Sequence, residues 1–283
     1  MYLTGLLRAC LCQASFYPIR LTSVTSRFSI PAGLRMKGLF CALAFFIAGP
    51  HASSAQSLKD SVVAEPAKIY STIFFTGIDT REQSTYGYLG GIRALNGNLG
   101  LNGFMLRAIA FYNPYDYETD AVIGGQVDAE MGAFDVVLGY QKYFNRFVGR
   151  AYVGVDYENH DLSPDNLLDS NRGAEFGVKF RGELETFYAS PFHASLLSSY
   201  GTAKERYWVR GRAGYNFDGV ILGPELTATG NPETDERRVG AFATLRNPDL
   251  APVEISVSGG YSDANENRGG ESAYGTFEIS VAF

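Results

Sequence analysis

The chain ends on Thr276-Phe277-Glu278-Ile279-Ser280-Val281-Ala282-Phe283, where large apolar side chains occupy every second position. Successive side chains of a β-strand point to opposite faces, so this stretch predicts a strand with one apolar face. That face consists of Phe277, Ile279, Val281 and the terminal Phe283. The C-terminus therefore predicts a β-strand, and the rest of the chain can be searched for the same period.

The same alternation recurs along the body of the chain. Residues 147–157, 175–185, 206–217 and 253–261 each place apolar side chains on one face and polar or charged ones on the other. Strands of about 9–11 residues exceed the ~5–6 residues typical of soluble sheets and are long enough to cross a bilayer at a tilt. The charged face of such a strand lines the wet interior of a membrane barrel. We therefore predict a transmembrane β-barrel rather than a soluble sandwich.

The C-terminal strand also carries a candidate assembly signal. An apolar face that ends on a C-terminal aromatic residue is typical of the signal that the outer-membrane barrel assembly machinery reads. We predict that Phe277, Ile279, Val281 and Phe283 form this signal. The predicted location is then the outer membrane of a Gram-negative bacterium, with outer-membrane lipid, lipopolysaccharide and the assembly machinery as partners.

Twelve segments qualify as strands, and an even number places both termini of a bacterial barrel on the periplasmic side. A turn at Met131-Gly132-Ala133 is the alternative, because it would divide the fourth segment and give thirteen strands. The predicted fold is all-β, a single closed antiparallel transmembrane barrel over 69–283. Its strands are 69–79, 84–95, 103–113, 126–143, 147–158, 173–186, 191–202, 206–217, 219–229, 237–246, 252–262 and 273–283.

The connections between these strands should differ at the two ends of the barrel. Short periplasmic turns and longer external loops are the usual arrangement. The predicted external loops are 114–125, 159–172, 230–236 and 263–272, and the predicted periplasmic connections are 96–102, 144–146, 187–190, Asp218 and 247–251.

The N-terminal segment predicts secretion. Residues 36–55 combine Lys37, a ten-residue apolar run over 39–48 and small residues up to Ala55, as a signal peptide does. A transmembrane helix is the alternative, but ten residues rise only about 15 Å, roughly half of the hydrocarbon core. Residues 1–35 are predicted to be disordered and to result from a start codon assigned too far upstream. A basic transit segment is the alternative. Residues 56–68 would form a periplasmic segment before the barrel.

Charge and cysteine content exclude several classes of function. The chain has a net charge of −6, but residues 1–55 hold five basic and no acidic side chains, so 56–283 carries 19 basic and 30 acidic ones, a net of −11. Such a body lacks the basic surface that nucleic-acid binding requires. All three cysteines, Cys10, Cys12 and Cys41, precede residue 56. This excludes a thiol nucleophile, a Cys-ligated metal and a disulfide scaffold in the barrel.

Two aromatic residues fall on the charged, inward face. By alternation Tyr152 lies near Arg150, and Trp208 lies near Arg210 and Arg212. An aromatic ring beside guanidinium groups can stack on the apolar face of a sugar while its hydroxyls form hydrogen bonds. We predict these five residues as polysaccharide contacts in the lumen. The alternative is that they only fill a barrel of modest width.

Other chemistry-bearing residues give weaker signals. His193 and Ser195 share a face, as a base and a nucleophile would, but the rest of the motif of barrel lipases is missing, so a hydrolase acting on lipid A is a remote alternative. His160 and His193 are too few and too far apart to predict a metal site. The acidic stretch 161–169 could hold a hard cation, but Asx and Pro turns explain it better. We predict no enzyme activity, no metal and no cofactor.

Several motifs resemble one family. Residues 86–99, Tyr-Gly-Tyr-Leu-Gly-Gly-Ile-Arg-Ala-Leu-Asn-Gly-Asn-Leu, followed by 102–108, are similar to the opening of the cellulose biosynthesis protein BcsS family. Residues 154–165, Arg172-Gly173-Ala174-Glu175-Phe176-Gly177 and Leu222-Gly223-Pro224-Glu225 also resemble it, and the likeness runs from about residue 73 to the C-terminus.

The resemblance implies an outer-membrane component near a cellulose secretion system, without catalytic residues to transfer. The expected function is that of a non-enzymatic barrel that assists export or surface retention of the β-glucan. Cellulose and the cellulose synthase secretion complex would then be partners. A general small-solute porin or structural barrel is the alternative.

Overall fold

A computed structural model describes residues 69–187, 190–246, 252–265 and 270–283. The predictions for 1–35, 36–55 and 56–68 lie outside these residues. Within the described ranges no helix is long and apolar enough to cross a membrane. The strands are β1 (Thr72–Arg81), β2 (Ser84–Ala94), β3 (Gly103–Glu118), β4 (Gln126–Tyr143), β5 (Phe147–Ser163), β6 (Gly173–Thr186), β7 (Phe192–Gly201), β8 (Tyr207–Phe217), β9 (Val220–Asn231), β10 (Thr234–Leu245), β11 (Val253–Ala264) and β12 (Glu271–Ala282).

The strands form one closed antiparallel barrel in which each strand pairs with its neighbours in sequence. The barrel closes between β1 and β12, from Ile73 opposite Ala282 to Arg81 opposite Tyr274. This confirms the predicted twelve-strand antiparallel barrel. We call the end that holds Thr72 and Ala282 the terminal end, and the opposite end, which holds the β1–β2 turn and the β5–β6 loop, the distal end.

The fourth strand runs unbroken through the suspected turn. Gly132 pairs with Tyr112 on β3 and with Asn159 on β5, so the thirteen-strand alternative was wrong. β4 can reach 18 residues because β3 and β5, with 16 and 17 residues, support it on both sides. The distal rim therefore stands highest over β3 to β5.

All four predicted external loops are shorter than expected, including 263–272, since β11 ends at Ala264 and β12 begins at Glu271. β3 continues to Glu118 and β5 to Ser163, which leaves 119–125 and 164–172 as loops. The predicted loop 230–236 was wrong, because β9 and β10 meet there in a two-residue turn. In that turn the Asn231 side-chain oxygen accepts hydrogen bonds from the Glu233 amide and the Thr234 hydroxyl, both at 3.0 Å.

The outward face is an apolar band with aromatic residues towards both ends. On β4 the exposed residues Phe134 to Tyr140 alternate with buried ones, and the first charged residues of the outward face beyond them are Glu130 and Lys142. Ring pairs near the terminal end are Phe74–Phe283, Phe104–Tyr140 and Phe192–Tyr215, with centroids 5.7, 5.3 and 5.3 Å apart. Further towards the distal end, Tyr157 packs between Phe134 and Phe176 at 5.2 and 4.7 Å.

The terminal end is partly covered from within by the connection 95–102. The Gln141 side-chain amide donates to the Leu99 and Leu101 carbonyls at 2.7 and 2.9 Å, and the Tyr143 hydroxyl donates to Leu99 at 2.8 Å. Above this connection a small apolar cluster fills the lumen wall, and its members are Ala94, Met105, Val137 and Tyr152.

Close strand contact at Gly223 gives a test of the packing. A Cβ built there would overlap the Ala213 carbonyl oxygen and lie 2.6 Å from the Gly214 Cα on β8. We expect Gly223→Ala to lower the free energy of unfolding by about 1–3 kcal/mol, because two backbones must separate. Gly211→Ala is the matched control, since nothing lies within 4 Å of its Cβ position. Equal denaturant midpoints for the two variants would contradict this packing.

Candidate functional site

The lumen is the candidate site, because alternation points the polar residues of every strand into it. It holds a cavity of about 960 Å³. Among the described residues, ten basic and eleven acidic side chains line this cavity, together with twelve Ser or Thr side chains. The lining is therefore close to neutral, although the body of the chain is acidic.

Glu278 on β12 joins distant strands in the middle of the lumen. Its carboxylate accepts hydrogen bonds from Arg210 at 2.9 and 3.0 Å and from Arg212 at 3.0 Å, both on β8. It also accepts one from the Tyr88 hydroxyl on β2 at 2.6 Å. Three strands separate β8 from β12 in the barrel. These ion pairs therefore span the lumen and do not merely join adjacent strands of the wall. Arg212 also pairs with Glu225 at 2.5 Å.

A second group of ion pairs lies towards the terminal end. Glu183 contacts Arg181 at 2.6 Å and Arg150 at 3.4 Å. Arg246, immediately after β10, pairs with Glu185 on β6 at 2.9 Å and also with Glu254. The pair with Glu185 again crosses the lumen.

A third group lies towards the distal end. Arg238 bridges Asp79 and Glu236, at 2.6 Å to each carboxylate. On the other side of the barrel, Glu158 contacts Arg206 at 2.9 Å and His160 at 2.6 Å. Cationic and anionic groups are thus mixed throughout the lumen, and their charges nearly balance over the whole lining. Such a lining has little net field to select an ion, and it offers donors and acceptors to an uncharged solute.

Trp208 lines the cavity on β8 and stands in a row of polar side chains. Its direct neighbours across the sheet are Ser199 on β7 and Thr229 on β9. The guanidinium carbons of Arg181 and Arg210 lie 5.8 and 5.3 Å from the centre of its ring. The ring therefore has hydroxyl groups beside it and cation–π partners over it.

The other predicted contact residues differ in their surroundings. Arg150, Arg210 and Arg212 line the cavity, and each is held in the ion pairs described above. Tyr152 is only 4% exposed and packs in the apolar cluster of the wall. The structure therefore leaves Trp208 as the predicted aromatic residue with access to the cavity, and contact of any of the five with polysaccharide stays a prediction.

The weaker candidates can also be placed. His193 and Ser195 both line the lumen, whereas their outward neighbours on β7 are Phe192, Ala194 and Leu196. The pair thus faces away from the surface that acyl chains would reach. No group of three or more His, Cys, Asp or Glu with metal-ligand geometry occurs in the part of the chain that the structure describes.

The acidic stretch 161–169 leads into a loop ordered by its own side chains. Arg172 donates to both carboxylate oxygens of Asp165, at 2.5 and 2.8 Å, and this hydrogen bonding holds the pKa of Asp165 below its usual value. Asn166 accepts a hydrogen bond from the Leu168 amide at 3.1 Å, as in an Asx turn. The predicted turns therefore describe this stretch well.

Glu278 and Tyr88 were not predicted as site residues. Their inward direction follows from alternation, but their partners lie on strands far away in sequence. The predicted assembly signal lies on the other face of β12, where Phe277 and Phe283 are 45% and 60% exposed. Its recognition by the assembly machinery stays a prediction.

Comparison with known proteins identifies a family for this chain and finds solved structures that resemble it only remotely. The family model "Cellulose biosynthesis protein BcsS" matches residues 73–283. No curated protein sequence matches the chain significantly. Among solved structures, KdgM porin is 11% identical with a TM-score of 0.43, covering 75% of this chain and 99% of its own. OprB from Pseudomonas putida is 10% identical with a TM-score of 0.27, covering 76% and 92%.

Proposed function

The chain belongs to the cellulose biosynthesis protein BcsS family, and from this premise we propose that it is a non-enzymatic outer-membrane barrel that assists export or surface retention of cellulose. The barrel would act by holding a segment of the uncharged glucan in its lumen. Its partners would be outer-membrane lipid, lipopolysaccharide, the barrel assembly machinery, cellulose and the cellulose synthase secretion complex.

The charge-paired lumen is the observation that carries this proposal. A lining with ten basic and eleven acidic side chains among the described residues gives no strong preference for an ionic solute. Cellulose is neutral and rich in hydroxyls, so it can exchange hydrogen bonds with the Ser, Thr, Arg and carboxylate groups of the wall. The family and the lumen chemistry thus favour the same substrate class.

The outward face supports the membrane location. Its apolar band, with aromatic pairs towards both ends and polar residues beyond, matches the lipid-facing surface of outer-membrane barrels. Because His193 and Ser195 face the lumen, the lipid hydrolase is not favoured.

A structural or general porin function is the second candidate. The observation that favours it is the set of ion pairs across the lumen, such as Arg210–Glu278, which would stiffen the barrel whatever its cargo. Under this alternative the lumen should respond alike to all neutral solutes of similar size.

Trp208 allows the two candidates to be separated. It is the single tryptophan of the chain, so tryptophan emission, excited at a wavelength that the tyrosines do not absorb, reports on this position alone. We expect cellohexaose to change the tryptophan emission of the folded protein in detergent and to block ion current through the protein in planar bilayers. Stacking of a sugar on an aromatic ring contributes about 1 kcal/mol, so Trp208→Ala should weaken the block about fivefold.

Maltohexaose and an acidic hexasaccharide serve as matched ligands. The proposal expects cellohexaose to act at the lowest concentration of the three. Equal effects of cellohexaose and maltohexaose would favour the general porin, and a block unchanged in Trp208→Ala would exclude Trp208 as a contact.

A further inference from the structure

The β5–β6 loop, 164–172, contacts the inner face of β3. The Tyr117 hydroxyl donates to Asp169 at 2.6 Å and accepts a hydrogen bond from the Asn166 amide at 3.1 Å. Tyr117 is inward-facing and only 2% exposed, and Asn166 and Asp169 are 5% and 7% exposed. The middle of the loop is therefore bound to the β3 side of the distal end.

The next residue of the same loop contacts a different part of the rim. The Ser170 hydroxyl and amide donate to the Glu233 carboxylate at 2.6 and 3.2 Å. Glu233 lies in the turn between β9 and β10. In the closed ring β3 and β9 are six strands apart, which places them on opposite sides of a twelve-strand barrel. Consecutive residues that reach β3 and the β9–β10 turn must therefore lie over the lumen.

Two further observations place this loop over the cavity. The Lys204 ammonium, between β7 and β8, donates to the carbonyl oxygens of Ser170 and Arg172 at 3.4 and 3.0 Å. Asn171 is 1% exposed and lines the lumen cavity. The loop is thus held at three separate points of the rim and forms part of the cavity wall.

We propose that the loop 164–172 is a lid that sets the size of the solute able to pass the distal end of the lumen. The inference rests on the proposed function, because it concerns access to the same lumen. The hydrogen bonds of Tyr117 and Glu233 hold the lid closed, so a glucan chain passes only after these bonds open. The lid, and not the ion-paired wall alone, then determines which saccharides pass.

Liposome swelling with neutral sugars of rising length tests this selectivity. The full-length protein would be compared with Tyr117→Phe, which removes one hydroxyl, and with Glu233→Ala. Tyr117→Phe removes a buried hydrogen bond and should open the lid about twofold to tenfold more often, whereas Glu233→Ala removes exposed hydrogen bonds and should have a smaller effect in the same direction. We therefore expect faster swelling in cellobiose and cellotetraose. Glu82→Ala, in the exposed β1–β2 turn of the same end, is the control and should behave as wild type.

A reversible lock provides a test that does not depend on weakening the protein. Ser170→Cys and Glu233→Cys would be combined with Cys10, Cys12 and Cys41 each changed to Ser, and joined by a short bis-thiosulfonate cross-linker. The lid proposal expects cross-linking to stop sugar passage and a reductant to restore it. Equal permeability with and without the cross-link would overturn the proposal, as would unchanged sugar cut-offs in Tyr117→Phe and Glu233→Ala. The proposed function fails separately, if cellulose at the cell surface does not depend on the protein.

Discussion

Glu278→Ala is expected to lower the free energy of unfolding by about 3–5 kcal/mol, because it leaves the largely buried Arg210 without its paired carboxylate. The carboxylate holds Arg210, Arg212 and Tyr88, and it is the link between β8, β12 and β2 in the middle of the lumen. Arg210 is 15% exposed, so water can replace little of the lost interaction, whereas Arg212 keeps its pair with Glu225. Unfolding in guanidinium chloride, followed by the gel mobility of the folded barrel, measures the effect.

Two further variants serve as comparisons for Glu278→Ala. Glu82→Ala removes an exposed carboxylate and should change the free energy of unfolding by less than about 1 kcal/mol. Glu278→Gln keeps an acceptor for one arginine and should fall between alanine and wild type. A Glu278→Ala protein as stable as Glu82→Ala would show that the pairs across the lumen contribute nothing to the barrel.

Val155→Arg is expected to destabilise the protein in a lipid bilayer by about 2–4 kcal/mol, the cost of a cation on the lipid face near the bilayer midplane. Val155 points outward from β5 and is 54% exposed, between the aromatic residues near the terminal end and the Phe134–Tyr157–Phe176 cluster. In water the same substitution at such an exposed position would cost almost nothing. Folding into liposomes at increasing denaturant concentrations measures the difference.

Leu168→Arg is the matched control for the lipid face. Leu168 is apolar and 82% exposed, but it lies in the β5–β6 loop beyond the strands. We expect it to tolerate arginine in the same assay. If Val155→Arg were as well tolerated as Leu168→Arg, the apolar band would not face lipid.

The strands were predictable because their signal is local. The alternating pattern of β12 or β8 can be recognised from residues that are adjacent in sequence. It was enough to predict the number of strands and which face of each strand points inward. The predicted third strand stopped at residue 113, immediately before Pro114, whereas β3 continues to Glu118. In the barrel Pro114 lies where the β2–β3 pairing is interrupted, between Tyr112 and Tyr115, so its missing donor costs no ladder bond on that side.

The site was less predictable because its contacts depend on the width of the barrel. Trp208 could be placed in the lumen by alternation, but alternation does not indicate that Tyr152 would be covered by Met105 and Val137. The pair of Glu278 with Arg210 spans 68 positions of sequence, and the docking of Asp169 on Tyr117 spans 52. Such partners follow from closure of the ring, which fixes which strands face each other across the lumen.

Measuring cellulose at the cell surface of a strain that lacks this gene is the most direct test of the proposed function. The proposed function predicts less surface cellulose in the deletion strain, recovery with the wild-type gene and incomplete recovery with Trp208→Ala, at equal amounts of folded barrel in the membrane. Unchanged surface cellulose in the deletion strain would contradict the proposed function.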